Sequence, residues 1–452
     1  MSAVIENSGD LRLQRLQDIL GSGAVKEAAR LLKSLAPAEI AHLLEALPPA
    51  EREIVWGLVD EKYDGEVLLL VTEEVRADLI RRMEPEELLA ATGNLDLDDL
   101  ADLVQDLPFA ITRELMDSLD IQHRKRLEAV LSYPEDTAGG LMNTDTVTVR
   151  PEVTLDVVLR YLRRLGDQVP RDTDLLFVVN RDDEYLGVLR LADLVTGAPD
   201  DTVAEAMTLS VTPFTAATPD RDVAQRFERF DLVSAPVVDA LGKLIGRITV
   251  DDVIDVIREE GEHQFMGRAG LSEDEDMFAP VLPSARRRAV WLGVNLLTAF
   301  LASWVIGLFE ATLQRVVALA VLMPIVASMG GIAGSQTLTL AIRGIALGQL
   351  SGKNARYLLF KELAVGALNG LIWALVVGAV AGVWFADPRI AGLIAAAIVI
   401  NLLAAAFSGA LLPLALDRLG IDPALAGSVL LTTVTDVVGF FAFLGLATLF
   451  LA

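Results

Sequence analysis

The chain has no cysteine, few histidines and a shortage of positive charge. Without a thiol there is no disulfide framework, thiolate zinc site or cysteine nucleophile. The 38 Lys and Arg residues face 63 Asp and Glu residues, and the net charge of -25 excludes the cationic surface that a nucleic-acid-binding protein needs. Hydrophobic residues make up 53% of the chain, which excludes a disordered protein. The 452 residues also exceed the length of one ordinary domain.

The usual signatures of enzymes are also missing. The three histidines, His42, His123 and His263, are dispersed, and the sequence has neither a glycine-rich phosphate loop nor a metalloprotease motif. His263 stands beside Glu262 and is a candidate for an ion site, although a surface position is the commoner role of such a residue. We predict that the protein is not an enzyme.

Charge and hydrophobicity divide the chain into two parts. Before residue 286, 28 basic residues stand against 57 acidic ones; from residue 286 onward, ten basic residues stand against six acidic ones. The second part contains five stretches that each exceed the ~20 apolar residues with which a helix crosses a bilayer. Buried helices of soluble proteins rarely run this long, so we predict five transmembrane helices. Their approximate ranges are 289–309, 316–342, 363–386, 390–416 and 424–451.

The basic residues in the short loops predict the orientation of these spans. Eight lie on the side shared with the N-terminal region, and only Arg315 and Arg389 lie on the other side. The positive-inside rule therefore predicts a multi-pass protein of the cell membrane, with a cytoplasmic N-terminal region and the C-terminus outside. The first residues, MSAVIENSGD, have no apolar run and no basic lead, so we expect no signal peptide.

One acidic side chain, Asp436, stands near the middle of the fifth predicted span. A lone carboxylate is costly in lipid, so it should face a partner or an aqueous path. Thr432 lies one helical turn earlier on the same face, and Thr435 is adjacent. We predict that Asp436, Thr432 and Thr435 form an ion-binding position inside the membrane.

The second predicted span contains helix-disturbing residues. Pro324, Gly330, Gly331 and Gly334 indicate an interrupted helix that lines protein or a watery cavity. Close packing of small residues against neighbouring helices is the alternative interpretation.

The acidic part contains two internal repeats. The pattern of residues 10–131 predicts short amphipathic helices. Residues 40–48 and 100–108 are weakly similar in sequence, which indicates helix pairs stacked into a superhelix. The second repeat is clearer: strand, helix, two strands and helix occur twice, from Thr146 and again from Val211. This pattern looks like a tandem pair of CBS domains, which implies a regulatory unit that is usually dimeric.

Some CBS domains bind adenine nucleotides, with the hydroxyl of a G-x-x-T run on phosphate and an Asp on ribose. Gly246 to Thr249 with Asp252 fits that pattern, whereas the first copy has Arg190 at the hydroxyl position before Asp193. The resemblance therefore implies an ATP site at Asp193, Thr249 and Asp252. A purely structural helix start is the alternative.

Several strings complete the pattern: residues 133–139 (YPEDTAG), 249–257, 323–336 (MPIVASMGGIAGSQ), Lys361-Glu362 and 432–439 (TTVTDVVG). With the order of parts, they resemble the MgtE family of magnesium transporters over essentially the whole chain. The implied fold is multidomain: an all-α superhelical N-terminal domain, an α/β tandem CBS pair and an α-helical membrane domain with five transmembrane helices. The expected boundaries are 1–131 for the acidic helical domain, 132–200 and 201–258 for the CBS domains, 259–284 for a connecting (plug) helix and linker, and 285–452 for the membrane domain.

The resemblance implies a homodimeric, channel-like Mg2+ importer in the lipid bilayer, with Asp436 at the position of the family's pore aspartate. It also implies that the acidic cytoplasmic part senses Mg2+, because ions bound between its faces hold the pore shut in the family. For any one acid, a solvated surface role is the alternative. The implied regulatory metal ligands are Asp98, Asp102, Asp252, Asp255, Glu259, Glu260, Glu262 and Asp422.

The sequence departs from the family pattern at three places. Ile332 and Ser335 replace two Asn residues, Val429 stands where Pro is common, and residues 261–265 alter the acidic run after Glu260. The first two changes leave Co2+ or Mn2+ as alternative cargo, and the third bears on the gating set-point. A CBS-regulated anion channel and a membrane-tethered sensor without transport are further alternatives, against which the intramembrane Asp436 argues.

Overall fold

A computed structural model describes residues 2–93, 95, 97–170, 173–267, 269–272, 275–350 and 354–451. It contains two compact units: residues 1–260 with 274–279, and residues 261–273 with 280–452. The first unit combines a helical N-terminal domain with paired α/β repeats. The second contains the long apolar helices.

The N-terminal domain is built from short helices. Proline begins three of them, at Pro37, Pro49 and Pro85, because its fixed φ and missing N–H suit the first turn of a helix. The apolar faces of the helices meet in one core that includes Leu16, Leu44 and Leu103, each fully buried. Within the described residues the helices are α1 Ser2–Gly21, α2 Val25–Leu32, α3 Pro37–Glu45, α4 Pro49–Trp56, α5 Asp64–Leu70, α6 Glu73–Ile80, α7 Pro85–Thr92, α8 Leu97–Asp106, α9 Phe109–Ser118 and α10 Ile121–Val130.

The two α/β repeats have the same sheet topology. In each, a short first strand pairs in parallel with a central strand, which pairs antiparallel with a third. The central strands are buried along their whole length, which explains their uninterrupted apolar sequences LLFVV and SAPVV. The strands are β1 Thr148–Val149, β2 Leu175–Val179, β3 Tyr185–Arg190, β4 Phe214–Thr215, β5 Ser234–Val238 and β6 Leu244–Thr249, and the helices are α11 Leu155–Leu165, α12 Leu191–Thr196, α13 Val203–Ala206, α14 Asp220–Phe230 and α15 Val250–Gly267.

The repeats correspond residue by residue at their glycines. Gly187 pairs with Val178, and Gly246 pairs with Val237, and in both copies the register shifts at the next residue of the central strand. A Cβ at Gly187 would lie 2.7 Å from the Thr208 carbonyl oxygen, and one at Gly246 would lie 2.9 Å from the Asn143 carbonyl oxygen. Both positions therefore require glycine, and the predicted repeat is confirmed.

Five of the remaining helices are long and apolar enough to cross a membrane. The fourth is the most buried of the five, because its neighbours on three sides pack against it. A short helix that the sequence did not predict, α17 Glu310–Arg315, follows the first long helix. The helices of this unit are α16 Val281–Gly307, α17, α18 Ala318–Ala346, α19 Ala355–Phe385, α20 Pro388–Arg418 and α21 Pro423–Leu451. The predicted fold class, with its helical domain, paired α/β repeats and five apolar helices, is confirmed.

The expected interruption of the second span is wrong, because α18 is one continuous helix. Two of its glycines instead allow close packing: a Cβ at Gly334 would lie 2.8 Å from Leu431 of α21, and one at Gly330 would lie 2.2 Å from the side-chain nitrogen of Asn401. Pro324 stands in the second turn of the helix, so the hydrogen bond it lacks is one near the helix start. Close packing, the alternative interpretation, is what the structure has.

Candidate ion-binding and regulatory sites

Asp436 is half-buried in the middle of α21. Within the described part of the chain, no hydrogen bond or ion pair engages its carboxylate. A carboxylate at membrane depth with no partner in its own subunit needs water, an ion or another subunit to compensate its charge. This makes Asp436 the strongest candidate for contact with an ion.

The threonines beside Asp436 differ in their surroundings. Thr432 is exposed on the same face, and its hydroxyl donates to the Ser428 carbonyl, 2.9 Å away. Thr435 is fully buried, and its hydroxyl donates to the Thr432 carbonyl at 3.1 Å. Because these donors are used within the helix, Thr432 can offer only its oxygen lone pairs to an ion or its water. Thr435 faces the packing of its own subunit.

Asn401 joins the two helices that carry the strings of the second and fifth spans. It is fully buried in α20, and its side-chain nitrogen donates to the Val326 carbonyl of α18 at 2.8 Å. A Cβ at Gly439 of α21 would lie 2.7 Å from the same nitrogen, so glycine is needed there. The Asn401 Oδ1 atom has no partner in the described structure. Sequence reasoning missed this residue, although an asparagine in an apolar span was a usable signal.

Glu362 forms a second polar link inside the membrane unit. It is 4% exposed, accepts a hydrogen bond from Thr337 of α18 at 3.0 Å and pairs with Lys361 at 2.5 Å. Beside it is a cavity of about 140 Å³ that Gln336 and Asn369 also line. The Lys361-Glu362 string therefore holds α19 to α18 through a polar contact.

The residues that depart from the family pattern lie on an open face. Ile332 is 59% exposed, and Ser335 is also exposed on α18. Neither is enclosed by the helices of its own subunit, so both side chains are available to a second subunit, to water or to an ion.

The predicted metal ligands of the first unit are distributed over separate elements. The Asp98 side chain lies outside the described residues, and Asp102 is exposed on α8. Asp255 is exposed and forms an ion pair with Arg258 at 3.3 Å. Glu259 is exposed on α15. These positions suit solvent-facing acids that a second surface could approach.

Two of the three residues predicted to bind nucleotide, Thr249 and Asp252, are hydrogen-bonded to each other. Asp252 accepts hydrogen bonds from the Thr249 backbone N–H at 3.2 Å and from the Thr249 hydroxyl at 2.9 Å. The first of these bonds is one half of a capping box, in which the Asp252 side chain satisfies a free backbone donor at the start of α15. Asp193 is exposed in the first turn of α12. The geometry is that of the structural helix start.

Glu260 lies in an acid-rich neighbourhood. Its carboxylate accepts from Arg221 Nε at 2.6 Å. The pKa of the nearby Asp220 is raised, chiefly because the carboxyl group is partly buried. The negative charges of Asp136 and Glu260 raise this pKa further, whereas the hydrogen bond from the Arg221 backbone N–H and the positive charge of Arg221 lower it. The acids therefore repel one another, and Arg221 supplies part of the compensating charge.

In the second unit, Asp422 is engaged by a histidine. His263 Nε2 lies 2.6 Å from Asp422 Oδ2, and Asp422 Oδ1 accepts the Ala424 backbone N–H at 2.8 Å as the cap of α21. Glu262, beside the histidine, is exposed. Among the described residues, no three His, Asp or Glu side chains converge to hold a metal ion. Within each unit taken by itself, the described residues thus do not bring three of the predicted regulatory acids together.

A further acid in the N-terminal domain is under electrostatic strain. Burial raises the pKa of Asp64 to about 7, with added repulsion from Glu61, Glu87 and Asp60. The folded domain therefore loses stability as the pH rises from about 4, the unfolded value of this carboxyl, to about 7, and the loss is complete above that pH.

We expect Asp64→Asn to stabilise the protein at pH 8 by about 1–2 kcal/mol, a figure reduced from the full shift because solvent screens this partly exposed group. The gain should disappear near pH 4, where Asp64 is protonated in both states. Denaturant unfolding at the two pH values measures it, with the exposed Asp200→Asn as control. Equal gains at both pH values would contradict the assignment.

Five spanning helices with an unpaired carboxylate, linked to paired regulatory repeats, define a regulated ion-transport protein. The family model described as a divalent cation transporter matches residues 323–446, that of the MgtE intracellular N domain matches 35–136, and that of the CBS domain matches 138–200 and 198–259. The chain is 34% identical to the magnesium transporter MgtE of Thermus thermophilus over 96% of this chain and 98% of that protein. It therefore belongs to the MgtE family of magnesium transporters.

The chain is also similar to one further curated protein and to two solved structures. The magnesium transporter MgtE of Bacillus subtilis is 27% identical over 98% of both chains. Among solved structures, the cytosolic domain of the Mg2+ channel MgtE in complex with ATP is 34% identical, covering 54% of this chain and 99% of that one, with a TM-score of 0.48. The soluble part of a magnesium transporter is 23% identical and covers 56% and 99%, with a TM-score of 0.46.

Proposed function

We propose that the protein is a homodimeric, channel-like Mg2+ importer of the cell membrane that intracellular Mg2+ closes. The observation that carries the proposal is Asp436, a half-buried carboxylate at mid-span with no hydrogen-bond or ion-pair partner among the described residues of its own subunit. Two such carboxylates facing each other across a two-fold axis form a site of charge -2. Mg2+ gives up its waters reluctantly, so this site binds the hydrated ion through water.

The membrane potential alone can drive Mg2+ uptake through such a path, without ATP hydrolysis or a coupled ion. An interior-negative potential contributes ~2.3 kcal/mol per charge per 100 mV, and a divalent ion gains twice that amount. This direction requires the N-terminal region to be cytoplasmic. The excess of Lys and Arg in the loops on that side supports the orientation.

Closure by intracellular Mg2+ follows from the acidic first unit. Asp64 and Asp220 have raised pKa values because burial and neighbouring carboxylates disfavour their charge. A divalent cation between acidic faces relieves such repulsion and favours the compact state. We propose Asp98, Asp102, Asp252, Asp255, Glu259, Glu260, Glu262 and Asp422 as the residues that contribute to these sites, with ligands from different domains or subunits.

Arg221 competes with Mg2+ for Glu260 in this scheme. We expect Arg221→Gln to lower the Mg2+ concentration of half-inhibition by up to about fivefold, because an exposed ion pair is worth ~0.2–1 kcal/mol. Inhibition curves of reconstituted protein measure the shift, with the exposed Arg229→Gln on the same helix as control. An unchanged curve, or the same shift in the control, would remove Glu260 from the sensor.

Adenine nucleotide is a second regulatory ligand that we propose for the CBS pair, at Asp193, Thr249 and Asp252. The related cytosolic domain is described in complex with ATP. In this chain the Thr249–Asp252 hydrogen bond must be exchanged for contacts to ribose and phosphate. Titration of the full-length protein with ATP, with Asp252→Asn as the variant, measures this binding.

Flux measurements in proteoliposomes test the function as a whole. We expect uptake of Mg2+ into vesicles at a negative internal potential and its suppression by millimolar Mg2+ on the side of the soluble domains. Parallel assays with Co2+, Mn2+ and chloride separate the alternative cargoes, to which Ile332 and Ser335 are relevant. Absence of all cation flux would favour a sensor, and a potential that follows chloride would favour an anion channel.

A further inference from the structure

Arg52 is the largest fully buried side chain of the first unit, and it contacts a segment far away in sequence. It lies on α4 of the N-terminal domain and is 1% exposed. Its Nη1 atom is 2.8 Å from Oδ2 of Asp276, whose side chain is 5% exposed. A buried arginine is rare unless it is paired, so this contact is a built feature.

Every branch of the Arg52 guanidinium has an acceptor. Nε donates to the Leu44 carbonyl at 2.9 Å, and Nη2 donates to the Leu47 carbonyl at 3.1 Å. These carbonyls lie at the end of α3, where the free acceptors of a helix favour a cation. The N-terminal domain thus holds Arg52 in a fixed orientation, and the remaining branch points at Asp276.

The segment 275–279 is bound at more than one point. The Asp276 backbone N–H donates to Glu74 Oε2 of α6 at 2.8 Å. Asp276 Oδ1 accepts from the Phe278 backbone N–H at 2.9 Å, and the Ala279 N–H donates to the Asp276 carbonyl at 3.1 Å, so the segment is turned upon itself. Arg52 and Glu74 therefore form a docking site for Asp276: Arg52 binds its carboxylate, and Glu74 accepts its backbone N–H.

The position of this segment in the chain gives the contact its significance. Helix α16, the first membrane-spanning helix, begins at Val281, two residues after Ala279. The chain between the paired repeats and the membrane runs through α15, which reaches Gly267. A link at Asp276 connects the N-terminal domain to the start of α16 without passing through the repeats or α15.

We propose that Arg52 and Glu74 dock the 275–279 segment so that the N-terminal domain controls the first membrane-spanning helix directly. This rests on the proposed closure by intracellular Mg2+ and adds a route for it. When the domain changes position, the docked segment moves with it and displaces the entry of α16. Separating the two leaves the ion path intact and removes part of the Mg2+ response.

The test measures Mg2+ inhibition of full-length protein in proteoliposomes for Asp276→Asn and Arg52→Met. We expect the half-inhibiting Mg2+ concentration to rise at least about fivefold in both, with uptake at low internal Mg2+ unchanged. Matched controls are Asp200→Asn and Arg164→Met, which remove the same charges from exposed positions. If Mg2+ does not inhibit the wild-type protein, the proposed function is refuted. If Mg2+ inhibits the wild-type protein and the variants have the same half-inhibiting concentration, only the docking role is refuted.

Covalent rescue separates docking from a folding defect. The chain has no cysteine, so Glu74→Cys and Met277→Cys can be joined by a short thiol cross-linker in the Asp276→Asn background. Glu74 contacts the backbone beside Met277, and Met277 is 82% exposed. We expect cross-linking to restore Mg2+ inhibition and reduction to abolish it again. A shift that cross-linking does not reverse would assign the effect to a damaged N-terminal domain and overturn the proposal.

Discussion

Replacing Asp436 by Asn should reduce Mg2+ uptake by at least about 100-fold. The substitution keeps the size of the side chain and removes one negative charge from each subunit. A hydrogen bond to a charged group contributes roughly 1.5–3 kcal/mol, so the loss of one per subunit corresponds to two or more factors of ten. Initial uptake rates in proteoliposomes at fixed potential give the ratio directly.

Two further variants make this result specific. Asp417→Asn removes an exposed carboxylate at the end of α20 and should leave uptake within about twofold of wild type, as is usual for surface charges. Asp436→Glu keeps the charge on a longer side chain and should give an intermediate rate. Uptake by Asp436→Asn at the wild-type rate would remove this residue from the ion path.

Removing residues 1–260 should leave a conducting protein that intracellular Mg2+ no longer closes. The deletion ends at the boundary between the two compact units and takes away nearly all of the acidic excess. With those acids gone, no bridged compact state remains to be favoured. We expect the half-inhibiting Mg2+ concentration to rise by at least about tenfold, the size of change that a loss of ~1.4 kcal/mol of coupling produces.

A shorter deletion identifies the part responsible. A chain without residues 1–131 retains the paired repeats and α15, and its inhibition curve should lie between those of the full chain and the longer deletion. Closure at the original Mg2+ concentration in the protein without residues 1–260 would show that the sensor lies in the membrane unit.

The sequence was most informative where a local pattern decides the structure. Uninterrupted apolar strands, paired glycines and five long apolar stretches each depend on neighbouring residues, and the fold class predicted from them is confirmed. Asp436 could be selected because a charge in an apolar span is conspicuous without any knowledge of its neighbours.

Residues whose role depends on distant partners could not be found in this way. Arg52 reads as an ordinary charged residue of a short helix, and its partner Asp276 is 224 residues away. Asn401 stands out in the sequence as an amide in an apolar span, but its role becomes clear only when Gly330 and Gly439 are seen on either side of it. The same limit affected α18, because proline and glycine indicate a broken helix until the packing that accommodates them is known.

The contact between His263 and Asp422 lies at the first turn of α21, the helix that carries Asp436. Asp422 caps α21, and Asp436 follows 14 positions later, about 21 Å along the axis at 1.5 Å per residue. The contact with His263 therefore acts on the same continuous helix that carries the mid-span carboxylate, three to four turns away from it.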